Sequence, residues 1–180
     1  MNKALLIIDI QNFYFGKDGL KGCEQASQNA RRLLDSFREK NLPVFYIRHE
    51  IDTSHLSEEE KKTADIHDSV KPMDGEPVIS KHSPGSFKGT SLLKQLKSRN
   101  IDELVICGMM SQMCVDTTTR EAADLDFKCT VIHDACATRN FEFKGMEIPA
   151  EFLHAAAMSS LAFAFAKVIS TEEYLVLCQP

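Results

Sequence analysis

The sequence predicts an α/β protein of three layers, α/β/α, built on a mostly parallel six-stranded sheet. Three observations carry this. Short apolar runs alternate with segments whose apolar residues recur at helical spacing, the order that builds parallel sheets through right-handed crossovers. The first run, Ala4-Leu5-Leu6-Ile7-Ile8, is continuous rather than alternating, as in a strand covered on both faces. The chain has 180 residues, 43% hydrophobic and 26% charged, enough for one core-bearing domain spanning 1–180. Together these describe a Rossmann-like sheet.

The elements follow in order. Strand 4–8 ends in Asp9, and Ala26, Ala30, Leu33, Leu34 and Phe37 then mark a helix that Asn41 and Pro43 stop. Pro43 to Ile47 reads as a second strand and Val78-Ile79 as a short third. Leu92, Leu93 and Leu96 mark a helix before the strand Leu104 to Cys107. A helix from about Met113 to Leu125, a strand Cys129 to His133 and an Ala-rich helix Glu151 to Phe163 come next. Lys167 to Ile169 is the last strand, and Thr171 to Leu177 the last helix. The polar stretch from Glu50 to Met73 is the one irregular region. It reads either as a solvated surface segment with a short helix or as a lid or dimer element.

Composition removes several function classes. Net charge is −5 and no Lys/Arg cluster stands out, so no nucleic-acid footprint is expected. The longest apolar stretch, around Ala155 to Ala166, is too short to span a bilayer, and the N-terminus lacks a secretory cleavage site. A cytoplasmic protein is the expectation. The six cysteines include no CxxC pair, and a chain with this much core needs no disulfide framework. No cofactor motif is found. The first strand is not followed by GxGxxG, and Gly85-Ser86-Phe87-Lys88-Gly89-Thr90 lacks phosphate-loop spacing. Ser111 lies outside a GxSxG elbow, and His133-Asp134 has no activated serine with it.

In an open parallel sheet, reactive groups collect at the carboxyl ends of strands. Asp9, Lys81 and Cys114 stand at or just after three such ends. Cys114 also begins a helix, where backbone N–H groups and the dipole favour a thiolate, and a nearby ammonium lowers a thiol pKa further. A carboxylate can take the thiol proton and return it to a leaving amine. Each residue alone has an ordinary reading: Asp9 as a turn residue, Lys81 as solvated, Cys114 as an inert core thiol, Tyr14 and Phe87 as packing. Only the conjunction at neighbouring strand ends points to chemistry.

Three motifs in order complete the case: Asp9-Ile10-Gln11 with Tyr14, Lys81 followed by Phe87-Lys88-Gly89-Thr90, and Gly108-Met109-Met110-Ser111-Gln112-Met113-Cys114-Val115 with Thr118. With Asp134-Ala135 after the fifth strand, they resemble the isochorismatase-like cysteine hydrolases. That superfamily includes nicotinamidases, N-carbamoylsarcosine amidases and maleamate amidases. The resemblance implies Cys114 as nucleophile, Asp9 as general base and then acid, and Lys81 as charge partner. It also implies a cis bond at Met109–Met110, an oxyanion hole from the N–H groups of Met110 and Cys114, and pocket walls from Tyr14 and Phe87. A homodimer or higher homo-oligomer and a small-molecule substrate are implied as well.

The chain departs from the family at the metal motif. Nicotinamidases carry Asp-x-His and two further histidines, whereas here His49, Asp52, His55 and His67 are spaced differently, so no metal is expected. Met110 occupies a position often held by a small residue, and Asp126 replaces a common Gly after the helix, where Asp tolerates a left-handed cap. The leading reading is hydrolysis of a small amide, carbamoyl or lactam C–N bond through a thioester. Vinyl-ether hydrolysis with Asp9 as acid and a non-catalytic binding role are the alternatives.

Overall fold

The N-terminal apolar run becomes β1 (Lys3–Ile8), and burial on both sides explains its composition. Leu5 and Ile7 enter one core, while Ala4, Leu6 and Ile8 enter the other. The architecture comes from a computed structural model, which describes residues 2–178 apart from 52, 53 and 56. β2 (Val44–His49), β3 (Val78–Lys81), β4 (Glu103–Met109), β5 (Lys128–Ala137) and β8 (Lys167–Ile169) complete one sheet in the order β3-β2-β1-β4-β5-β8. Every neighbouring pair in it is parallel.

The chain runs outward from β1 through β2 to β3 and then returns to place β4 on the other side of β1. That reversal opens a crevice at the carboxyl ends of β1 and β4. α1 (Cys23–Glu39) and α6 (Thr171–Leu177) cover one face of the sheet. α3 (Leu92–Ser98), α4 (Asp116–Asp124) and α5 (Ala150–Ala164) cover the other. The three expected layers and six strands are present, and the main sheet is wholly parallel.

Three details differ from the sequence reading. The helix expected from Met113 begins as a wide π turn, Ser111–Val115, before α4 proper. A two-stranded antiparallel hairpin, β6 (Phe141–Phe143) with β7 (Met146–Ile148), lies outside the main sheet. Its two strands have no buried face, so no alternation marks them in the sequence. The polar segment contains a four-residue helix, α2 (Glu58–Lys61), and two 3-10 turns at Lys62–Ala64 and Asp68–Val70. It is fastened across the end of β1: Asn12 N donates to Asp65 O at 3.0 Å, and His67 N to Ile10 O at 2.9 Å.

Asp126 has φ +67°, and around it Asp126 N donates to Ala123 O while Phe127 N donates to Ala122 O. This Schellman closure ends α4 and turns Phe127 into the core. Among the described residues no helix is long and apolar enough to cross a membrane.

One position controls how closely the central strands approach. Gly108 of β4 has φ +136° and pairs with Ile8 of β1, and a Cβ there would collide with the Ile8 carbonyl oxygen. Backbone on one side and backbone conformation on the other leave room for glycine alone. Gly108→Ala is expected to cost at least about 2 kcal/mol of stability, read from the midpoint of urea unfolding.

Candidate active site

Three strand ends deliver three reactive side chains to one point. β1 stops at Ile8, and Asp9 turns out of it in a left-handed conformation, φ +50°, with its N–H held by Ile47 O at 3.0 Å. Lys81 is the last residue of β3, on the same side of the strand as buried Ile79. Cys114 sits in the π turn after β4. Lys81 Nζ lies 2.8 Å from Asp9 Oδ2 and 3.2 Å from Cys114 Sγ. The expected convergence is present as geometry.

The trio is almost wholly enclosed. Asp9 is 0% exposed, Lys81 1% and Cys114 7%, so Cys114 is the member that retains the most contact with the outside. Both oxygens of Asp9 are buried, Oδ2 faces the Lys81 ammonium, and the Cys114 thiol lies within hydrogen-bonding reach of the carboxylate that would take its proton. The Lys81 ammonium also donates to Ser83 O at 3.0 Å and to His49 Nδ1 at 3.2 Å.

Titration follows from this enclosure. Burial raises the pKa of Asp9, against the pull of Lys81. Burial pushes the Cys114 thiol up to about 12, and the Asp9 carboxylate adds to the rise, while Lys81 opposes it. The expectation that a helix terminus and an ammonium would lower the thiol pKa is therefore corrected. Desolvation and a like charge outweigh them, and in the resting site the thiol keeps its proton beside a carboxylate able to accept it.

Surrounding contacts fix these parts. Gln11 ties β1 to β2 and to the polar segment: its Nε2 donates to His49 O at 3.1 Å and to Ala64 O at 2.7 Å, and its Oε1 accepts from His49 N at 2.8 Å. Ser111, in the Cys114 turn and fully buried, is hydrogen-bonded to His154 Nδ1 of α5 at 2.8 Å. Ser86 and Thr118 share a bond of 2.7 Å that fastens the loop after β3 to α4. The Met109–Met110 bond is cis, at the position the resemblance implied.

The remaining expected residues divide. Tyr14 is buried near Asp9 and Cys114; burial chiefly raises its hydroxyl pKa, and the Asp9 carboxylate adds to the rise. Phe87 is placed otherwise. Its ring stacks on Phe127 at 6.0 Å and lines a separate 390 Å³ cavity with Lys88, Leu93 and Glu121, so these contacts lend no support to a pocket-wall role.

Of the histidines and acids weighed as metal ligands, Asp52 lies outside the described residues. His55 bonds Ser54, and His67 accepts from Ser69 N while stacking on Phe15 at 3.7 Å. Asp9, His49 and Cys114 do bring ligand atoms within 4.8 Å of one another. The Lys81 ammonium, within 3.2 Å of all three, already supplies the cation at that point. His49 was missed as a member of the site, although the strand-end rule that picks Lys81 would also have found it, because His49 pairs with Lys81 across β2 and β3.

Comparison with known proteins gives a consistent picture. The family model described as the isochorismatase domain matches residues 3–173. The isochorismatase family protein YddQ of Bacillus subtilis is 44% identical over 179 residues, covering 97% of this chain and 99% of that one. The crystal structure of an isochorismatase hydrolase from Oleispira antarctica superposes with a TM-score of 0.90 at 43% identity, covering 97% and 96% of the two chains. Nicotinamidase 3 of Arabidopsis thaliana is 27% identical over 184 residues, covering 94% of this chain and 85% of its own.

The buried pair makes a stability prediction. A carboxyl whose folded pKa is raised adds stability that is complete below the unfolded value of about 3.8 and is lost as pH rises through the folded value. Lys81→Met removes the group that holds the Asp9 pKa down, so this loss deepens to about 3–5 kcal/mol at neutral pH. The variant is expected to melt lower at pH 8 than at pH 5, and Asp9→Asn in the same background to abolish that dependence. Thermal unfolding at the two pH values measures both.

Proposed function

The chain belongs to the isochorismatase family of hydrolases, and on that premise we propose that it cleaves a C–N bond of a small amide, carbamoyl compound or lactam through a thioester at Cys114. The observation that carries this reading is the Lys81 ammonium at 2.8 Å from Asp9 and 3.2 Å from Cys114. A thiol, a carboxylate and a fixed positive charge are the parts that a nucleophile–base pair needs. The name of Nicotinamidase 3, an amidase, supports a C–N bond as the target.

In this mechanism Cys114 Sγ attacks the carbonyl carbon as its proton passes to Asp9. The carbonyl oxygen becomes an oxyanion, held by the N–H groups of Met110 and Cys114. Collapse breaks the C–N bond, Asp9 returns the proton to the nitrogen, and ammonia or an amine leaves. Water then attacks the thioester with Asp9 again as base, the acid departs, and the proton goes back to sulfur. Lys81 offsets the negative charge as it moves between carboxylate and sulfur. Tyr14, buried beside Asp9 and Cys114, would form one wall of the substrate pocket, with Phe87 as a second.

The raised pKa of Asp9 favours a second reading, protonation of a vinyl ether by Asp9 without help from the thiol. The two differ by product, ammonia or amine against pyruvate. Cys114→Ala is expected to lower ammonia release across a panel of small amides by at least about 10³-fold, with a stable acyl adduct trapped on the wild type but not on the variant. Undiminished ammonia release from the variant would sink the thioester mechanism. Loss of pyruvate release in Asp9→Asn but not in Cys114→Ala would instead establish the vinyl-ether reaction.

A homodimer belongs to the same proposal, and the outer face of α5 supports it. Phe152 is 66% and Phe163 92% exposed, with Ala155, Ala156 and Ser159 between them and no charge on that stripe. Exposed apolar area of this kind marks association sites. The cytoplasm is the proposed compartment, since all six cysteines are free thiols. Phe163→Glu is expected to convert a dimer to a monomer in light scattering coupled to size exclusion, with helicity by circular dichroism unchanged.

A further inference from the structure

We propose that His49 is a positioning residue of this site: with Ser83 O it forms a two-point anchor for the Lys81 ammonium, leaving one N–H to follow the negative charge between Asp9 and Cys114. The inference rests on the thiol-hydrolase reading and adds a fourth side chain to it.

An ammonium has three hydrogens. Around Lys81 Nζ stand four acceptors: Asp9 Oδ2 at 2.8 Å, Ser83 O at 3.0 Å, Cys114 Sγ at 3.2 Å and His49 Nδ1 at 3.2 Å. Two of these change character during turnover. Before attack Asp9 is the anion and the thiol is a weak acceptor. Once the proton has moved, the sulfur carries the charge and Asp9 is a neutral acid. Ser83 O and His49 Nδ1 are the same acceptor in both states. Two hydrogens can stay on these fixed partners while the third serves whichever of Asp9 and Cys114 is charged, and the nitrogen itself need not travel.

His49 is built for that task. Its main chain is clamped on both sides by the Gln11 amide, and its strand position is paired in register with Lys81. To accept at Nδ1 the ring must be neutral, with its proton on Nε2. The groups around it bear on this: Lys81 and His82 oppose a charge on the ring, Asp9 and Glu50 favour one, and burial, the largest influence, keeps the pKa below its ordinary value. The ring is therefore neutral at physiological pH. The segment that the sequence marks as a departure from the family's metal motif thus supplies an acceptor for an ammonium.

The test needs no knowledge of the substrate. Iodoacetamide modification of Cys114 is followed by peptide mass spectrometry from pH 6 to pH 9 in wild type, His49→Asn and His49→Leu. Asn carries its side-chain oxygen at the place of Nδ1, whereas Leu keeps bulk and loses the acceptor. The thiolate is the reacting species, so a rise of about one unit in the apparent thiol pKa slows alkylation roughly tenfold below that pKa. His49→Leu is expected to slow Cys114 alkylation about tenfold, with its pH–rate curve displaced upward. His49→Asn is expected to stay within about threefold of wild type. Modification of Cys178 in the same digests and the melting temperature report any general loosening. An unchanged or faster rate in His49→Leu, or equal slowing in both variants, overturns the proposal. Because the readout is alkylation, it stands or falls separately from ammonia release.

Discussion

A lysine ammonium with 1% of its residue surface exposed has to be matched by the groups around it, because an unpaired charge in the interior is costly. That requirement organises this molecule. The acceptors come from four separate places: the end of β1, the end of β2, the loop after β3 and the turn after β4. No local segment could assemble them. A parallel sheet can, because its carboxyl ends form a common rim, and the return of the chain across β1 brings the β4 turn next to Asp9. Gly108 then sets the spacing, since any side chain there would force the two central strands apart.

Such a pair is a poor source of stability. Removing two charges from water costs about as much as their attraction returns, and well-packed apolar residues commonly serve as well or better. Cohesion here comes from the two apolar layers on either side of the sheet, to which β1 contributes alternately. The surplus supports a site whose parts conflict in isolation. Asp9 is raised by burial, Cys114 is raised by burial and by Asp9, and Lys81 restrains both. The outcome is a thiol and a carboxylate both pushed up by burial, with one cation placed against each.

Much of this was legible in the residues, for identifiable reasons. Strands buried on both faces write continuous apolar runs, so β1 and β4 declare themselves, and Asp9 and Cys114 stand out because a charged and a nucleophilic residue follow those runs. Boundaries were harder at β3, where only Ile79 and Lys81 are buried and the apolar signal is two residues long. The β6–β7 hairpin has no buried face and leaves no periodic mark. His49 was read as a possible ligand in a charged loop because the second strand was expected to stop at Ile47, two residues short of its end at His49. The sign of the Cys114 shift escaped for a related reason: helix position and neighbours can be read from sequence, whereas depth of burial needs the packed structure.

The protonated resting state of Cys114 has a bearing on how the protein survives between encounters with its substrate. Peroxide attacks sulfur in its ionised form, and the sulfinic and sulfonic products cannot be reversed by ordinary thiols. On the proposed mechanism Cys114 ionises only as a carbonyl arrives, and it is spared that damage while idle. Four of the five other cysteines are buried with raised pKa values, and the fifth, Cys178, is partly exposed near the C-terminus. Oxidant would therefore meet Cys178 first, and on the proposed mechanism Cys114 would be at risk chiefly during turnover.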